Sequence, residues 1–207
     1  MKAVAALFDF DGTLTKIDSL LMFLWHQVKL WTFVRRSLSL ASILLRYILG
    51  LIDNDTAKER LFVILFAQTS KSEFAAIAYS FSNSVLPTIL SVEPMERLKW
   101  HREQGHRCIL VSASIEDYLV PWAEAEGFSK VLATRLEVDA QGFLTGRFLG
   151  KNCYGTEKVR RIEEYLGALD QFEIYAYGDS RGDKEMLAIA DHPFYRSVRQ
   201  PTDFPSK

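Results

Sequence analysis

A chain of 207 residues has room for one α/β domain with a sizeable insertion, and 48% hydrophobic with 25% charged residues is ordinary for a globular protein. A net charge of −1 supplies no basic field for nucleic acid. Two cysteines are too few for a disulfide scaffold, and His26, His101, His106 and His192 lack the paired spacing of a zinc site, so a reducing, cytoplasmic setting is expected.

In chain order, residues 3–9 read as a short buried strand. It ends on Asp9 and Asp11 with no small-residue cleavage site, unlike a signal peptide. From Asp18 to Val85 the pattern is helical throughout, with polar breaks near 50–55 and 69–72. Asp53 or Asp55 is placed to cap a helix that carries Lys58, Glu59 and Arg60. Residues 19–52 are apolar enough to raise a membrane question, but His26, Gln27, Lys29, Arg35, Arg36 and Arg46 interrupt the run at roughly helical intervals. Helical packing is the expectation, with Trp25, Trp31 and Phe33 in the core of this block; a membrane-surface contact is the alternative.

Pro87 and Pro94 bracket the end of the helical block, and EPMERLKWHREQGH follows as a polar helix closed by Gly105. RCILVSAS gives a strand over 108–112 that stops at serines, with Cys108 in its core. IEDYLVPWAEAEGF is a helix ending at Gly127, with Pro121 near its first turn or kinking it. KVLATRLEV and FLTGRFLG flank DAQG as a hairpin signal, and Cys153 falls in a polar loop. GTEKVRRIEEYLG is an amphipathic helix stopped by Gly167; a strand over 173–177 then runs into the acidic loop GDSRGD, a helix opened by DKEMLAIAD and a last strand, PFYRSV. Strand and helix in alternation predict a parallel sheet with right-handed crossovers. The expected fold is an α/β, Rossmann-like three-layer core over 1–15 and 90–207, interrupted by an all-helical cap over 16–89.

Four segments fall at carboxyl ends of predicted strands or at the start of the next helix: DFDGT (9–13), SAS (112–114), GTEK (155–158) and GDSRGD (178–183). In open parallel sheets ligands bind there. Together they offer Asp9, Asp11, Asp179 and Asp183, the Ser112 hydroxyl and the Lys158 ammonium. Oxygen donors without thiolates suit a hard cation, most simply Mg²⁺, which would offset the repulsion between two aspartates at a strand tip. A cation, a lysine, a hydroxyl and free N–H groups suit a phosphoryl group. Neither G-x-S-x-G nor a P-loop is present, so an aspartate that becomes phosphorylated fits better than a serine nucleophile.

DFDGT, a strand ending at Ser112, Lys158 and GDSRGD, in that order across nearly the whole chain, resemble the four motifs of the haloacid dehalogenase-like superfamily. The helical block after the first motif looks like its phosphoserine-phosphatase-like branch. The resemblance implies a Mg²⁺-dependent phosphate monoester hydrolase, with Asp9 as nucleophile and Asp11 as general acid and base. It also implies that Ser112, the Ala113 N–H and Lys158 hold the phosphoryl group, and that the metal rests on Asp9, Asp179 and the Asp11 carbonyl. Asp183 would support the metal's outer sphere or Lys158. Asp18 stands where phosphoserine phosphatases carry a glutamate, Gly12 replaces a serine, and Ala113-Ser114 replace two glycines; Asp18 and Arg60 are the candidate substrate contacts from the cap. A small organic phosphate is the expected substrate. The apolar cap with DGTLT and YGDSRGDKEML also looks like the subfamily that includes phosphatidylglycerophosphatase C, which makes a lipid phosphate the alternative. A phosphotransferase is a further alternative. A receiver-like phospho-aspartate switch fits less well, because receivers lack the second acid and the insertion.

Overall fold

A computed structural model describes residues 2–27 and 30–198, with the side chains of 27, 30–37 and 54 outside the description. Lys29 and the side chains of Trp31, Phe33, Arg35 and Arg36 therefore lie outside the described residues. Strand β1 (Ala3–Phe8) leads into the helices α1 (Ser19–Gln27), α2 (Leu30–Ile48), α3 (Asn54–Phe66), α4 (Lys71–Ser84) and α5 (Leu86–Ile89). Then come α6 (Val92–Glu103), β2 (Arg107–Ile115), α7 (Glu116–Ala125), β3 (Lys130–Thr134), β4 (Leu136–Val138) and β5 (Leu144–Phe148). The chain continues through α8 (Thr156–Leu166), β6 (Phe172–Gly178), α9 (Lys184–Ala188) and β7 (His192–Tyr195).

The main sheet has the order β3-β2-β1-β6-β7, and its pairings are parallel. This is the α/β architecture expected from the alternation of strand and helix. Side-chain parity divides the core. Ala5 and Leu7 of β1 join Ile109, Val111, Ile174 and Ala176 on the face covered by α8 and α9. Ala6 and Phe8 join Leu110, Tyr177 and residues of α6 and α7 on the other. On that second face His101 lies between His106 (Nδ1 to Nδ1, 2.7 Å) and the Tyr177 hydroxyl (2.8 Å), so this histidine pair bonds within the core. Burial holds His101 neutral down to about pH 3.

Several local readings change. The strand expected over 108–112 continues to Ile115, because its pairing with β3 slips at a bulge between Ser112 and Ile115. The expected hairpin is shorter: Lys130–Thr134 enters the main sheet, and only Leu136–Val138 pairs antiparallel with Leu144–Phe148. Cys153 sits in a loop but is fully buried, its thiol donating to the Leu132 carbonyl. Pro121 lies well inside α7, which runs through it.

Asp53 caps α3 by accepting from the Thr56 N–H (2.7 Å), and Ser70 caps α4, so the two polar breaks fall where capping chemistry puts them. The passages into and out of the helical segment pair with each other: Lys16 N–H donates to Ile89 O, and Ser91 N–H to Leu14 O. The sequence reading put Trp25, Trp31 and Phe33 in the core of this segment, but Trp25 is exposed at the start of the insertion, and the buried aromatic side chains share a core with the sheet domain. Phe23 packs against Phe66, Phe74 and Phe81 of the insertion and, at a centroid distance of 5.0 Å, against Tyr118 of α7. One buried cluster runs from Phe8 and Phe10 through Trp122 and Tyr118 to Phe62. On its other side α3 meets β5, where Gly146 (φ +81°) passes so close to Val63 that a Cβ would overlap the Val63 backbone.

Candidate active site

Asp9 extends β1 by one ladder bond, its N–H donating to the Tyr177 carbonyl (2.9 Å). Its side chain falls on the Ala5–Leu7 face, toward α8. The backbone then turns away through Gly12 (φ +78°), where a Cβ would overlap the Asp179 carboxylate. Both the backbone angle and the close approach of Asp179 demand glycine at this point.

Lys158 projects from the first turn of α8, fully buried. The helix is fixed at its start and at its middle. The Gly155 N–H donates to the Gly182 carbonyl (2.9 Å), tying its start to the acidic loop. One turn on, Arg161 pairs with Glu157 and donates to the carbonyls of Ala133 and Lys151. Held in that register, Lys158 Nζ donates to Asp9 Oδ1 (2.6 Å), Val111 O (2.8 Å) and Asp183 Oδ1 (2.6 Å). An ammonium has three protons, and all three are engaged. Lys158 therefore acts on Asp9 by contact. A direct bond to a phosphoryl oxygen, which the family resemblance implies, would require it to release one partner.

Asp183, at the start of α9, reaches back into the cluster. Its Oδ1 meets Lys158, and Oδ2 accepts from Ser180 N–H (3.0 Å) and Ser180 Oγ (2.7 Å). Burial works to raise its carboxyl, but Lys158 and Ser180 outweigh it and hold the group below its ordinary range. Burial likewise opposes charge on Lys158, and Asp9 and Asp183 more than compensate, so the ammonium stays protonated. Asp9 is pushed up by burial and then by Asp183, against the pull of Lys158. Asp179 is raised for the same first two reasons. Thr13 places its one hydroxyl proton between Asp9 Oδ2 (3.5 Å) and Asp179 Oδ1 (3.4 Å).

Oxygens of Asp9, Asp179 and Asp183 lie within 4.8 Å of one another. Three carboxylates against one ammonium leave two negative charges without an answer among these groups. An all-oxygen donor set with that deficit fits a hard divalent cation. Asp183 has both oxygens committed, which leaves Asp9 and Asp179 as the carboxylates with capacity to spare.

Asp11 lies outside this group and faces the insertion. Its Oδ1 accepts from the Ser19 N–H at the start of α1 (2.6 Å), and its Oδ2 accepts a short hydrogen bond from the Ser114 hydroxyl. Ser19 Oγ lies 3.2 Å from both Ser114 Oγ and Tyr118 Oη. Burial, then the charge of Asp18, raises the Asp11 carboxyl, and the bonds from Ser114 and Ser19 oppose the rise. Ser112 is buried at the bulge and accepts from the Ser114 N–H (3.0 Å), so it does not cap α7. Ala113 lies within the bulge, and its carbonyl is 3.1 Å from the Thr134 hydroxyl oxygen.

The structure thus brings Asp9, Asp179, Asp183 and Lys158 together, with Asp11 and the 112–114 turn beside them. Asp18 caps α1 through the Leu21 N–H (3.0 Å) and acts on the cluster through Asp11. Arg60 is half-buried on α3, and no hydrogen bond among the described residues ties it to the cluster. A cavity of about 480 Å³ lined by Leu90, Met95, Lys99 and Arg102 lies elsewhere and holds none of these groups. The sequence reading passed over Ser19 and the chain Asp55–Asn152–Thr134, in which Asn152 Nδ2 donates to Asp55 Oδ1 (2.6 Å) and Thr134 Oγ1 to Asn152 Oδ1 (2.7 Å). These are single polar residues from separate segments, and no spacing links them.

Residues 6–188 match the family model of the haloacid dehalogenase-like hydrolases. Protein CicA of Caulobacter vibrioides is 33% identical over 195 residues, covering 93% of this chain and 85% of that protein. A histidinol-phosphatase of Neisseria meningitidis serogroup C is 25% identical over 134 residues, or 61% of this chain and 60% of its own. Among solved structures, a Bordetella pertussis Tohama I protein of unknown function superposes with a TM-score of 0.81 at 29% identity, covering 93% of this chain and 89% of that one. A substrate-bound phosphoserine phosphatase has the same fold, with a TM-score of 0.59 at 19% identity over 94% of this chain and 86% of its own. With the family model spanning most of its length, the chain belongs to the haloacid dehalogenase-like hydrolases.

Proposed function

We propose that the chain is a phosphatase that hydrolyses an organic phosphate monoester through an aspartyl phosphate on Asp9. The observation that carries this reading is the division of labour between two aspartates two residues apart. Asp9 is fixed by Lys158 on the metal side, whereas Asp11 is bonded to Ser19 and Ser114 on the side of the insertion.

Asp9 Oδ1 is held by Lys158, and among the described residues Oδ2 has a long contact from Thr13. An Asp9 oxygen attacks phosphorus, the new O–P bond forms, and the bond to the leaving alcohol breaks. Asp11, whose carboxyl is raised by burial, delivers its proton to the departing oxygen. In the second half Asp11 takes a proton from water as that water attacks phosphorus. The aspartyl bond breaks, and inorganic phosphate leaves with Asp9 restored. Ser112 and the N–H of Ala113 receive the phosphoryl oxygens at the bulge. Asp9, Asp179 and the Asp11 carbonyl would hold Mg²⁺. When bound, the cation supplies positive charge to the phosphoryl oxygens and lets a dianionic ester approach a carboxylate. Asp183 keeps Lys158 in place, and Asp18 acts on Asp11. Arg60 is a weaker candidate for substrate contact.

A receiver-like switch would not need the second acid, and Asp11 has a built hydrogen-bond site of its own. Transfer to an alcohol in place of water uses the same first half. A small soluble ester suits an insertion whose side chains pack inward, as Phe23, Phe62 and Phe74 do. The lipid ester draws on the large apolar side chains of the same insertion that face outward.

The test is hydrolysis of an aryl phosphate by the whole chain with Mg²⁺ or with EDTA, with and without added alcohol acceptors. Activity is expected with Mg²⁺, lost on chelation and restored by the metal, and Asp9→Asn should be inactive though folded. Full activity after exhaustive chelation, or turnover by Asp9→Asn, would overturn the mechanism. Phosphorylated alcohol as the main product would turn the assignment to a phosphotransferase.

A further inference from the structure

Beside Asp11 the protein buries three hydroxyl groups drawn from three elements. Ser114 near the end of β2 is 3% exposed, and Ser19 at the start of α1 and Tyr118 in the first turn of α7 are fully buried. A buried hydroxyl is costly unless it is bonded, so each of the three calls for an explanation. Capping does not supply one for Ser114, because α7 starts without a side-chain cap bond. Ser114 also stands where the phosphoserine-phosphatase-like pattern has a glycine, so that pattern assigns its hydroxyl no role.

Counting protons gives the chain of hydroxyls a direction. Ser114 Oγ donates to Asp11 Oδ2. A hydroxyl has one proton, so Ser114 meets Ser19 Oγ (3.2 Å) as an acceptor. Ser19 in turn accepts from Tyr118 Oη (3.2 Å). While Asp11 is ionised, the protons point one way, from Tyr118 through Ser19 and Ser114 to Oδ2. The other oxygen, Oδ1, meets the Ser19 N–H (2.6 Å), which can only donate. A proton on Oδ1 would face that N–H, so Oδ2 is the oxygen that carries one. Ser114 can follow the change, because a hydroxyl donates to a carboxylate and accepts from a carboxylic acid. The Ser114 backbone is fixed separately, its N–H donating to Ser112 Oγ (3.0 Å) at the bulge. On the side of the insertion, the Tyr118 ring packs against Phe23 (5.0 Å) and Phe81 (5.2 Å).

We infer that Ser114 is a positioning residue for the general acid: its hydroxyl, backed by Ser19 and Tyr118, aims Asp11 Oδ2 at the leaving-group oxygen while its backbone holds the Ser112 hydroxyl at the phosphoryl group. In the first half of the reaction the Oδ2–H bond breaks as the O–H bond of the departing alcohol forms, and Ser114 then donates to the carboxylate left behind. No further reactant enters this step. The inference rests on the phosphatase reading. It makes the acid depend on two partners at once, Ser19 from the insertion and Ser114 from the sheet domain.

The whole chain is assayed with Mg²⁺ on an alkyl phosphate and on a nitrophenyl phosphate, with kcat/KM reporting the steps through the first bond cleavage. Ser114→Ala should lower kcat/KM on the alkyl ester by about 10- to 10²-fold, the worth of one hydrogen bond to a charged group. The loss should be much smaller on the nitrophenyl ester, whose leaving group scarcely needs a proton. Ser114→Thr keeps the hydroxyl and should retain most of the alkyl rate. Tyr118→Phe, two links further from Asp11, should show the same preference between esters at about 2- to 5-fold, the worth of a bond between neutral groups. In an Asp11→Asn background Ser114→Ala should lose nothing more on the alkyl ester, because the group it positions is already gone. Cooperative urea unfolding checks that each variant is folded. Should loss of the Ser114 hydroxyl unfold the chain, Tyr118→Phe, which keeps the ring, carries the same comparison of esters. Equal losses on the two esters, or a further loss in the Asp11→Asn background, overturn the inference and leave the phosphatase reading intact. No hydrolysis of either ester by the wild type removes the phosphatase reading and the inference with it.

Discussion

At the carboxyl ends of β1, β2 and β6, one lysine meets two carboxylates and a carbonyl within 2.8 Å, and Asp183 has bonds at both oxygens. Along α1 and α2 the opposite holds, with Trp25, Leu38 and Ile48 spread in water. The floor of the site is closed by the chain's own groups, apart from the negative charge that its three carboxylates carry beyond the one ammonium. The outer face of the insertion is left open by the described residues. Buried charge is tolerable only with fixed partners, so chemistry at the floor forces precise geometry. Apolar surface demands only removal from water, and an external surface can provide that as well as a core. The two regions meet at Asp11, which takes one bond from the insertion at Ser19 and one from the sheet domain at Ser114.

That meeting point gives the largest expected effect. Asp11→Asn should lower turnover of an alkyl phosphate by about 10²- to 10⁴-fold, the usual worth of general acid–base catalysis. The loss in the first chemical step should be smaller with a nitrophenyl ester, whose leaving group scarcely needs a proton. Equal losses in that step would remove Asp11 as the acid and with it the functional join between the two regions.

The next effect tests how tightly the floor is closed. Lys158→Met should destabilise the fold by about 3–5 kcal/mol in urea unfolding, because Asp9 and Asp183 are left buried without their cation. Mg²⁺ should return part of that loss by offsetting the same charge. A change of under about 0.5 kcal/mol, typical of surface substitutions, would mean that the floor is not the closed ionic unit described.

The smallest effect concerns the seam between insertion and hairpin. Gly146→Ala puts a Cβ against the Val63 backbone at a positive φ and should cost about 1–3 kcal/mol, seen as a lower urea midpoint. Unchanged stability would mean that α3 yields easily, and the insertion would then be less firmly joined to the sheet domain than the shared aromatic core implies.

Much of the site was legible because its chemistry sits at positions that local pattern can locate. An apolar run that stops at two aspartates marks a strand tip, and alternating strands and helices bring three such tips and the start of α8 to one edge of a parallel sheet. Asp9, Lys158, Asp179 and Asp183 follow from that, and so does the α/β class. The cap at Asp53 was readable, with Asp55 as its alternative, from capping chemistry, whereas the break at 69–72 was readable only as a polar stretch that the structure turns into a cap at Ser70. Other features depended on contacts between distant segments. The bulge that lengthens β2 beyond Ser112 comes from its pairing with β3, a partner that no residue in SAS announces. Cys153 is buried because Leu132 and Thr134 close over its loop. Commitment of all three Lys158 protons required Val111 and Asp183 to arrive from two strand ends. The helical period of α2 fixed which residues share a stripe, but the same period is compatible with either side facing inward. Packing of Ile43 toward the protein turned Leu38, Leu45 and Ile48 outward, because helical period orders side chains around an axis and only neighbouring elements decide which side meets water.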